Sequence, residues 1–355
     1  MNFETINLKF INMKKLAIGI ISFLTVLIIS CSDDEKNSTL PGVTTTIISS
    51  ITINSAISGG VITSNGGENI TAKGVSWSTS QNPTIELSTK TVDGTGTDSF
   101  TSSITSLSSN TTYYVRAYAT NNVGTSYGNE VTFTTSIDVT TGLVAYYPFS
   151  GNANDASGNT NHGTVLGNVT LATDRFGNSN KAYSFPGNPN SYIDCGNNPT
   201  IQVRGALTLS AWIYMDGGSL NPRILQYSGS GNSGGYTAFV DGTSNSSRIL
   251  HATNYNDDRS GTGFCCGSAQ GFSVPALSWH HFVYTTSATG LAKMYINGIL
   301  VGETQGVPVT NITYANTLNI GKLPNGSDAW GGKLDEIRIY NRVLNTAEIN
   351  YLFQN

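Results

Sequence analysis

The chain has 355 residues, of which 38% are hydrophobic and only 11% are charged. That length suits about two domains, and the charge content is less than half of the usual ~25%. The formal net charge is -4, so there is no basic field for a phosphate backbone, which argues against nucleic acid as a partner. With 39 glycines and a polar surface left mostly to Ser, Thr and Asn, the composition points to an exported β-rich protein and away from a helical cytosolic enzyme.

In chain order, Met13, Lys14 and Lys15 form a short basic region. Leu16–Ile29 is apolar except for Gly19, Ser22 and Thr25, and Ser30-Cys31 closes it. The order positive, apolar, small residue, cysteine resembles a bacterial lipoprotein signal. The run is short for a transmembrane span. The resemblance implies that residues 1–30 are removed and that Cys31 carries the acyl chains that hold the protein to a lipid membrane. Asp33, Asp34 and Glu35 follow. They resemble the acidic export tag of Bacteroidota-type lipoproteins, which implies the outer membrane, facing the cell exterior; a plain solvated linker is the other reading. Residues 31–43 are polar with a Pro-Gly step and read as a tether.

Residues 44–136 change character. Ile47, Ile51 and Ile53 alternate with polar residues, and short strands are expected at Lys73–Ser78, Thr112–Thr120 and Val131–Thr135. Turn clusters at 64–67, 81–83, 93–96 and 121–124 separate them. No stretch holds a 3.6-residue period, so an all-β sandwich is expected. Leu107, Thr111, Tyr113, Val115, Ala117, Ala119 and Asn121 fall at alternate positions before Gly124. This stretch resembles a corner and strand of a fibronectin type III domain, an immunoglobulin-like sandwich. The resemblance implies that the Tyr113 hydroxyl bonds back to the backbone near Leu107. It also implies that Trp77 is core and that the domain is a spacer.

Residues 142–355 read as one large two-sheet sandwich. Strands are expected at 143–149, 182–185, 207–214, 224–227, 236–240, 281–287, 292–296, 317–320 and 334–340. Asn297-Gly298 signals a hairpin. Thr346–Phe353 reads as one short helix capped by Asn345. Five stretches, namely Leu143–Gly151, Asp155–Gly163, Leu207–Tyr214, Trp279–Tyr284 with Met294–Gly298, and Gly331–Leu344 with Glu348-Ile349, resemble the concanavalin A-like, laminin G-like jelly-roll family in that order. The resemblance implies that the first and last strands pair. It also implies a structural Ca2+ held by Asp155, Gly158, Asn161 and Asp335, because calcium takes hard oxygens. Turn capping by Asp155 and Asn161 is the competing reading.

Glycoside hydrolases of this fold need carboxylates at alternate positions of one strand, and no such spacing occurs. Asp335-Glu336 and Asp257-Asp258 are adjacent, so on a regular strand they face opposite ways. The four histidines do not make a zinc pattern, and His280-His281 reads as structural. After Cys31, three cysteines remain. Cys195 with Cys265 or Cys266 is the expected disulfide in an exported chain; a vicinal bond and buried free thiols are the alternatives. The candidate ligand residues are Trp330, in a glycine-flanked loop, with Tyr236, Tyr255, Asn256, Asp257, Asp258 and Arg259. The function expected is non-catalytic binding of a polysaccharide or other glycan at the cell surface. A protein-binding adhesin, recognising a surface or host protein, is the alternative, and a hydrolase with an atypical site is a more distant one.

Overall fold

The computed structural model describes residues 37–218, 221–228, 234–241, 249–264, 272–324 and 326–355. The signal, Cys31 and the acidic run 33–35 lie outside the described residues.

The first sandwich contains β1 (Gly42–Thr45), β2 (Ala56–Ser64), β3 (Ala72–Ser78), β4 (Phe100–Ile104), β5 (Thr112–Thr120), β6 (Thr125–Tyr127) and β7 (Val131–Thr134). One sheet has the order β1-β2-β4; the other has β3-β5-β6, with β7 also paired to β5. Val75, Trp77, Val115 and Phe133 are among the side chains packed between them. Tyr113 stacks on Phe133, with ring centroids 5.8 Å apart. Its hydroxyl accepts a hydrogen bond from the Ser108 N–H at 3.0 Å, one residue from the expected Leu107. The start differs from expectation. Asn121 donates to the Thr39 carbonyl and Ser126 to that of Pro41, so the end of the expected tether is already tied to the sandwich. Ile47 is 79% exposed; the alternating isoleucines are not a strand, and β2 is the strand that follows.

The second sandwich begins with β8 (Leu143–Tyr147), β9 (Thr164–Leu166), β10 (Thr170–Ala172), β11 (Ala182–Pro186), β12 (Tyr192–Asp194), β13 (Leu207–Gly218), β14 (Arg223–Ser228) and β15 (Gly235–Asp241). It continues with β16 (Ile249–Tyr255), β17 (Gly261–Phe264), β18 (Phe272–Ser273), β19 (Trp279–Thr286), β20 (Leu291–Ile296), β21 (Ile299–Gln305), β22 (Asn319–Ile320) and β23 (Trp330–Tyr340). The back sheet has the order β10-β11-β23-β13-β19-β20-β21, with β8 on β23. The front sheet has the order β17-β16-β15-β14-β22-β12-β9, with β18 on β16. The period-2 pleat sorts the residues. Leu207, Leu209, Ala211, Ile213 and Met215 of β13 all enter the core, facing Leu225, Ala238 and Ala252 of the front sheet. The first and last strands of the domain pair, as expected, through Tyr146↔Arg338 and Ala145↔Ile339.

The outer face of the back sheet is covered by α1 (Thr346–Gln354). Asn345 Oδ1 accepts from the Glu348 N–H at 3.0 Å, and the Glu348 carboxylate accepts from the Asn345 N–H at 2.7 Å. This reciprocal capping box starts the helix. Ile349 and Leu352 then bury against Val283, Tyr295 and Tyr340.

Two expectations are corrected here. Cys195 is a free, buried thiol, and burial pushes its pKa up to about 12. No disulfide joins it to β17, the strand that leads to Cys265. Five strand spacings separate β12 from β17, roughly 24 Å, whereas a disulfide needs Cα atoms within ~7 Å. Cys265 and Cys266 themselves lie outside the described residues. The second correction concerns Asp335-Glu336. Ser210 pairs with Arg338 but Trp212 with Asp335, so β23 carries an extra residue there, and Glu336 has φ 53°. The bulge breaks the alternation. Glu336 meets the Tyr146 hydroxyl at 2.8 Å and Arg338, on the same outer face as Asp335.

Asp335 is buried and its Oδ2 lies 3.4 Å from Arg175 Nη1. The Arg175 guanidinium stacks 4.5 Å from the Trp212 ring, and Phe353 stacks on Trp212 at 5.7 Å. Burial first, then the neighbouring Glu336 carboxylate, raises the Asp335 pKa from 3.8 to about 8, against the lowering pull of Arg175. Across that interval the folded chain keeps a proton that the unfolded chain has lost. Stability therefore falls as pH rises from about 4 to about 8, by at most ~1.4 kcal/mol per pH unit. Urea unfolding across this range is expected to show that slope, and Asp335→Asn is expected to flatten it.

Candidate functional site

The outer face of the front sheet carries a depression of about 360 Å³ over β14, β15 and β16. That lies within the roughly 300–1,000 Å³ of small-ligand sites. Its floor comes from the alternate residues that the pleat turns away from the core. Gln226 pairs with Thr237, and Thr237 with Thr253. Thr237 Oγ1 lies 3.3 Å from Gln226 Oε1 and 3.1 Å from the Leu225 carbonyl. The floor thus consists of hydroxyl and amide groups.

Tyr255 forms one side. Its cross-strand neighbours are Gly235 and Gly261. A Cβ on Gly261 would come within 2.7 Å of the Tyr255 ring. Gly235 has φ 85°, and its Cβ would meet the Tyr227 carbonyl at 2.0 Å. Glycine is thus required on both flanks, and the half-buried ring stands without a side-chain neighbour across either strand. Burial raises its hydroxyl pKa, so the phenol is neutral and able to donate.

Arg223 and Phe239 form the other side, and His251 is buried against Phe239. The guanidinium lies 4.1 Å from the Phe239 ring centroid, and Phe239 stacks on His251 at 4.9 Å and 19°. Asp328 sits 3.6 Å from Arg223. Burial lowers the Arg223 pKa, and Asp328 and Asp241 oppose that; a guanidinium stays charged regardless. His251 Nδ1 is 3.0 Å from the Phe264 carbonyl. A carbonyl only accepts, so Nδ1 carries the proton and Nε2 is the acceptor. Burial lowers the His251 pKa and keeps it neutral at pH 7. Its Nε2 is buried without a donor among the described residues, and the Asp241 carboxylate is 3.7 Å away.

Of the residues expected from sequence, Tyr255 presents its side chain to this depression. Tyr236 borders it by backbone only. The ring is 1% exposed, packs on Tyr227 and Tyr314, and its hydroxyl donates to the Ile201 carbonyl at 2.9 Å. Asn256 is buried and binds the 308–311 segment, accepting from the Thr310 and Asn311 N–H groups. Asp257 accepts from the Thr313 N–H. Asp258 caps the turn at Ser260, and Arg259 occupies that turn at φ 67°. These four build the β16–β17 hairpin and do not line the depression. Arg223, Gln226 and Phe239 were missed. Their strands were legible only in part, and nothing in the order of residues marks which face of the front sheet is open.

Trp330 is corrected outright. It is 0% exposed and belongs to the core between the sheets. The last strand begins at Trp330 itself, four residues earlier than expected, with Gly331 and Gly332 inside it. Those glycines allow close strand pairing with Pro186, Phe185 and Met215 and do not make a loop.

The residues expected to hold calcium do not fit the ion. Asp155 Oδ1 accepts from the Tyr146 and Ser157 N–H groups, and Oδ2 from Ser157 Oγ and the Asn161 N–H, all at 2.8–2.9 Å. That fills all four lone-pair positions of a carboxylate. Asn161 Oδ1 accepts from Thr200, and its amide donates to the Val144 carbonyl. Gly158 serves the turn at φ 90°. Asp335 faces Arg175, whose charge repels a cation. Among the described residues no three His, Cys, Asp or Glu side chains gather as a metal site.

Residues 186–350 match the profile of the concanavalin A-like lectin/glucanases superfamily, and the second domain is a concanavalin A-like jelly-roll sandwich. No curated protein matches the chain. Among solved structures, domain 4 of AbnA, a GH43 extracellular arabinanase from Geobacillus stearothermophilus in complex with arabinotriose, is similar at 18% identity and TM-score 0.45, covering 60% of this chain and 98% of its own. The binding domain of Paraclostridial mosquitocidal protein 1 is similar at 20% identity and TM-score 0.47, covering 61% and 52%. The binding domain of botulinum neurotoxin DC, in complex with rat synaptotagmin II, is similar at 17% and 0.48, again covering 61% and 52%. The chain spans about half the length of these two toxin domains. Likeness at this level concerns architecture and does not carry a ligand across.

Two outcomes are expected. Trp330→Ala opens a large cavity and costs roughly 3–5 kcal/mol, read by urea unfolding. Neither calcium nor a chelator moves the melting temperature; a rise on adding calcium would show that the Asp155 turn rearranges around the ion.

Proposed function

We propose that this protein is a surface-anchored, non-catalytic glycan-binding lipoprotein whose second domain binds through the outer face of its front sheet. The observation that carries the reading is the depression. Its floor is hydroxyl and amide, one side is an aromatic ring flanked by glycines, and the other is the Phe239 ring with the Arg223 guanidinium stacked on it. Sugars present that combination: apolar ring faces for stacking and many hydroxyls for hydrogen bonds.

The order of residues 13–31 supports anchoring through Cys31. The acidic run after it supports an outward-facing position on the outer membrane. The first sandwich serves as a fibronectin type III-like spacer in this reading, supported by its three-plus-four strand arrangement and the Tyr113–Ser108 bond. Among the described strands no carboxylates stand at alternate positions, and the pair that the bulge puts on one face, Asp335 and Glu336, is closed over by Arg175, Trp212 and Phe353; both support binding without hydrolysis.

A glycan array probed with the full chain tests this. Binding to one or more glycans is expected, with Tyr255→Ala weakening it about tenfold or more through lost stacking (~1.4 kcal/mol) and no release of reducing sugar. Absence of glycan binding, together with specific capture of a protein, would favour the adhesin reading instead.

A further inference from the structure

The depression does not end the polar surface of the front sheet. Thr253, Thr237, Gln226, Asn319 and Asp194 form one cross-strand row over five consecutive strands, each directly paired with the next. The row spans four strand spacings, roughly 19 Å, and only its first three members border the depression. All five lie on the face turned away from the core, since Ile193, Leu225, Ala238, Ala252 and Ile320 on the same strands are core residues. Yet Thr253 is 1%, Gln226 6% and Asn319 5% exposed. Flanking groups therefore stand above these three, while Thr237 and Asp194 stay half-buried and within reach of a ligand; we read the row as the floor of a groove that continues the depression.

Beyond Arg223 and Asp328 the same side of the groove continues in Lys322, whose ammonium lies 4.3 Å from the Tyr192 ring centroid. The charges along the face are mixed. Arg223 is paired with Asp328, Lys322 covers an aromatic ring, and Asp194 and Asp241 add negative charge. Among the described residues there is no excess of cations and no convergent pair of arginines to hold a polyanion.

We propose, resting on the glycan reading above, that this groove takes the interior of an uncharged linear oligosaccharide, with a second binding segment at Asn319, Asp194 and Lys322. The ligand crosses the strands of the front sheet, several sugar rings long, and a terminal sugar alone fills only the depression. The polar row is continuous, so each further ring meets a further amide or carboxylate.

The test is titration calorimetry of the full chain with arabino-, xylo- and cello-oligosaccharides of one to six units, with heparin and polygalacturonate as acidic probes. For the series that binds, affinity is expected to rise about tenfold between two and four units, as one or two net hydrogen bonds are added, and then to level off. Asp194→Asn and Lys322→Ala, both at half-buried positions, are expected to remove that rise, with melting temperatures unchanged to confirm folding. Tyr255→Ala is expected to weaken every length. Equal affinity for one and four units, still lost in Tyr255→Ala, would overturn the extended groove and leave the glycan reading standing. Tighter binding of heparin or polygalacturonate would overturn the uncharged class. No binding to any probe would overturn both.

Discussion

Strand β23 hydrogen-bonds to β13 along most of its length, and on its other edge to β11 and then to β8. This pairing joins the first and last strands of the large domain. Much else depends on it. Trp330, Leu334, Ile337 and Ile339 carry the strand's inner face into the core. The bulge at Glu336 puts two carboxylates on the outer face, where Arg175, Trp212 and Phe353 close over Asp335. A buried acid beside a second carboxylate is costly, and the covering aromatic and guanidinium groups keep water away from it.

The two sheets divide their work by what covers them. The back sheet's outer face is apolar around Val283 and Tyr295, and α1 shields it. The front sheet's outer face is hydroxyl, amide and mixed charge, which needs no protein cover. The open face is therefore the one whose chemistry suits hydroxyl ligands. Glycines 235 and 261 shape it by leaving Tyr255 unobstructed, a role that no substitution with a Cβ could keep.

Much of the fold was legible because it rests on local chemistry. The alternation in Leu207–Tyr214 follows from a strand with one buried face. Asn345 before an apolar run marks a helix start, whereas the bond from Tyr113 back to the chain before it was expected from the fibronectin type III resemblance. The strands that were missed are β1, β2, β4 and β6 of the first sandwich, and β16 and β17 of the second together with its short pieces β9, β10, β12 and β18. In β16, His251, Thr253 and Tyr255 face outward but are buried or half-buried by their neighbours, so the polar-apolar contrast that marks a strand is weak. Trp330 misled for a related reason: glycines beside an aromatic residue read as a loop, yet here they permit close pairing of strands.

The amino-acid order by itself determined the all-β class, a change of domain near residue 140 and the capped terminal helix, whereas the pairing of the first and last long strands was expected only from the family resemblance. The first three follow from periodicity, caps and turn residues, which act over a few positions. Tertiary structure alone decided which outer face stays open, that Cys195 lies five strands from the chain leading to Cys265, that Asp155 is already saturated by its own turn, and that Trp330 is core while Tyr255 is surface. Each depends on strand order within a sheet or on a bulge that shifts register. Such features bring together residues dozens of positions apart, and no local pattern encodes them.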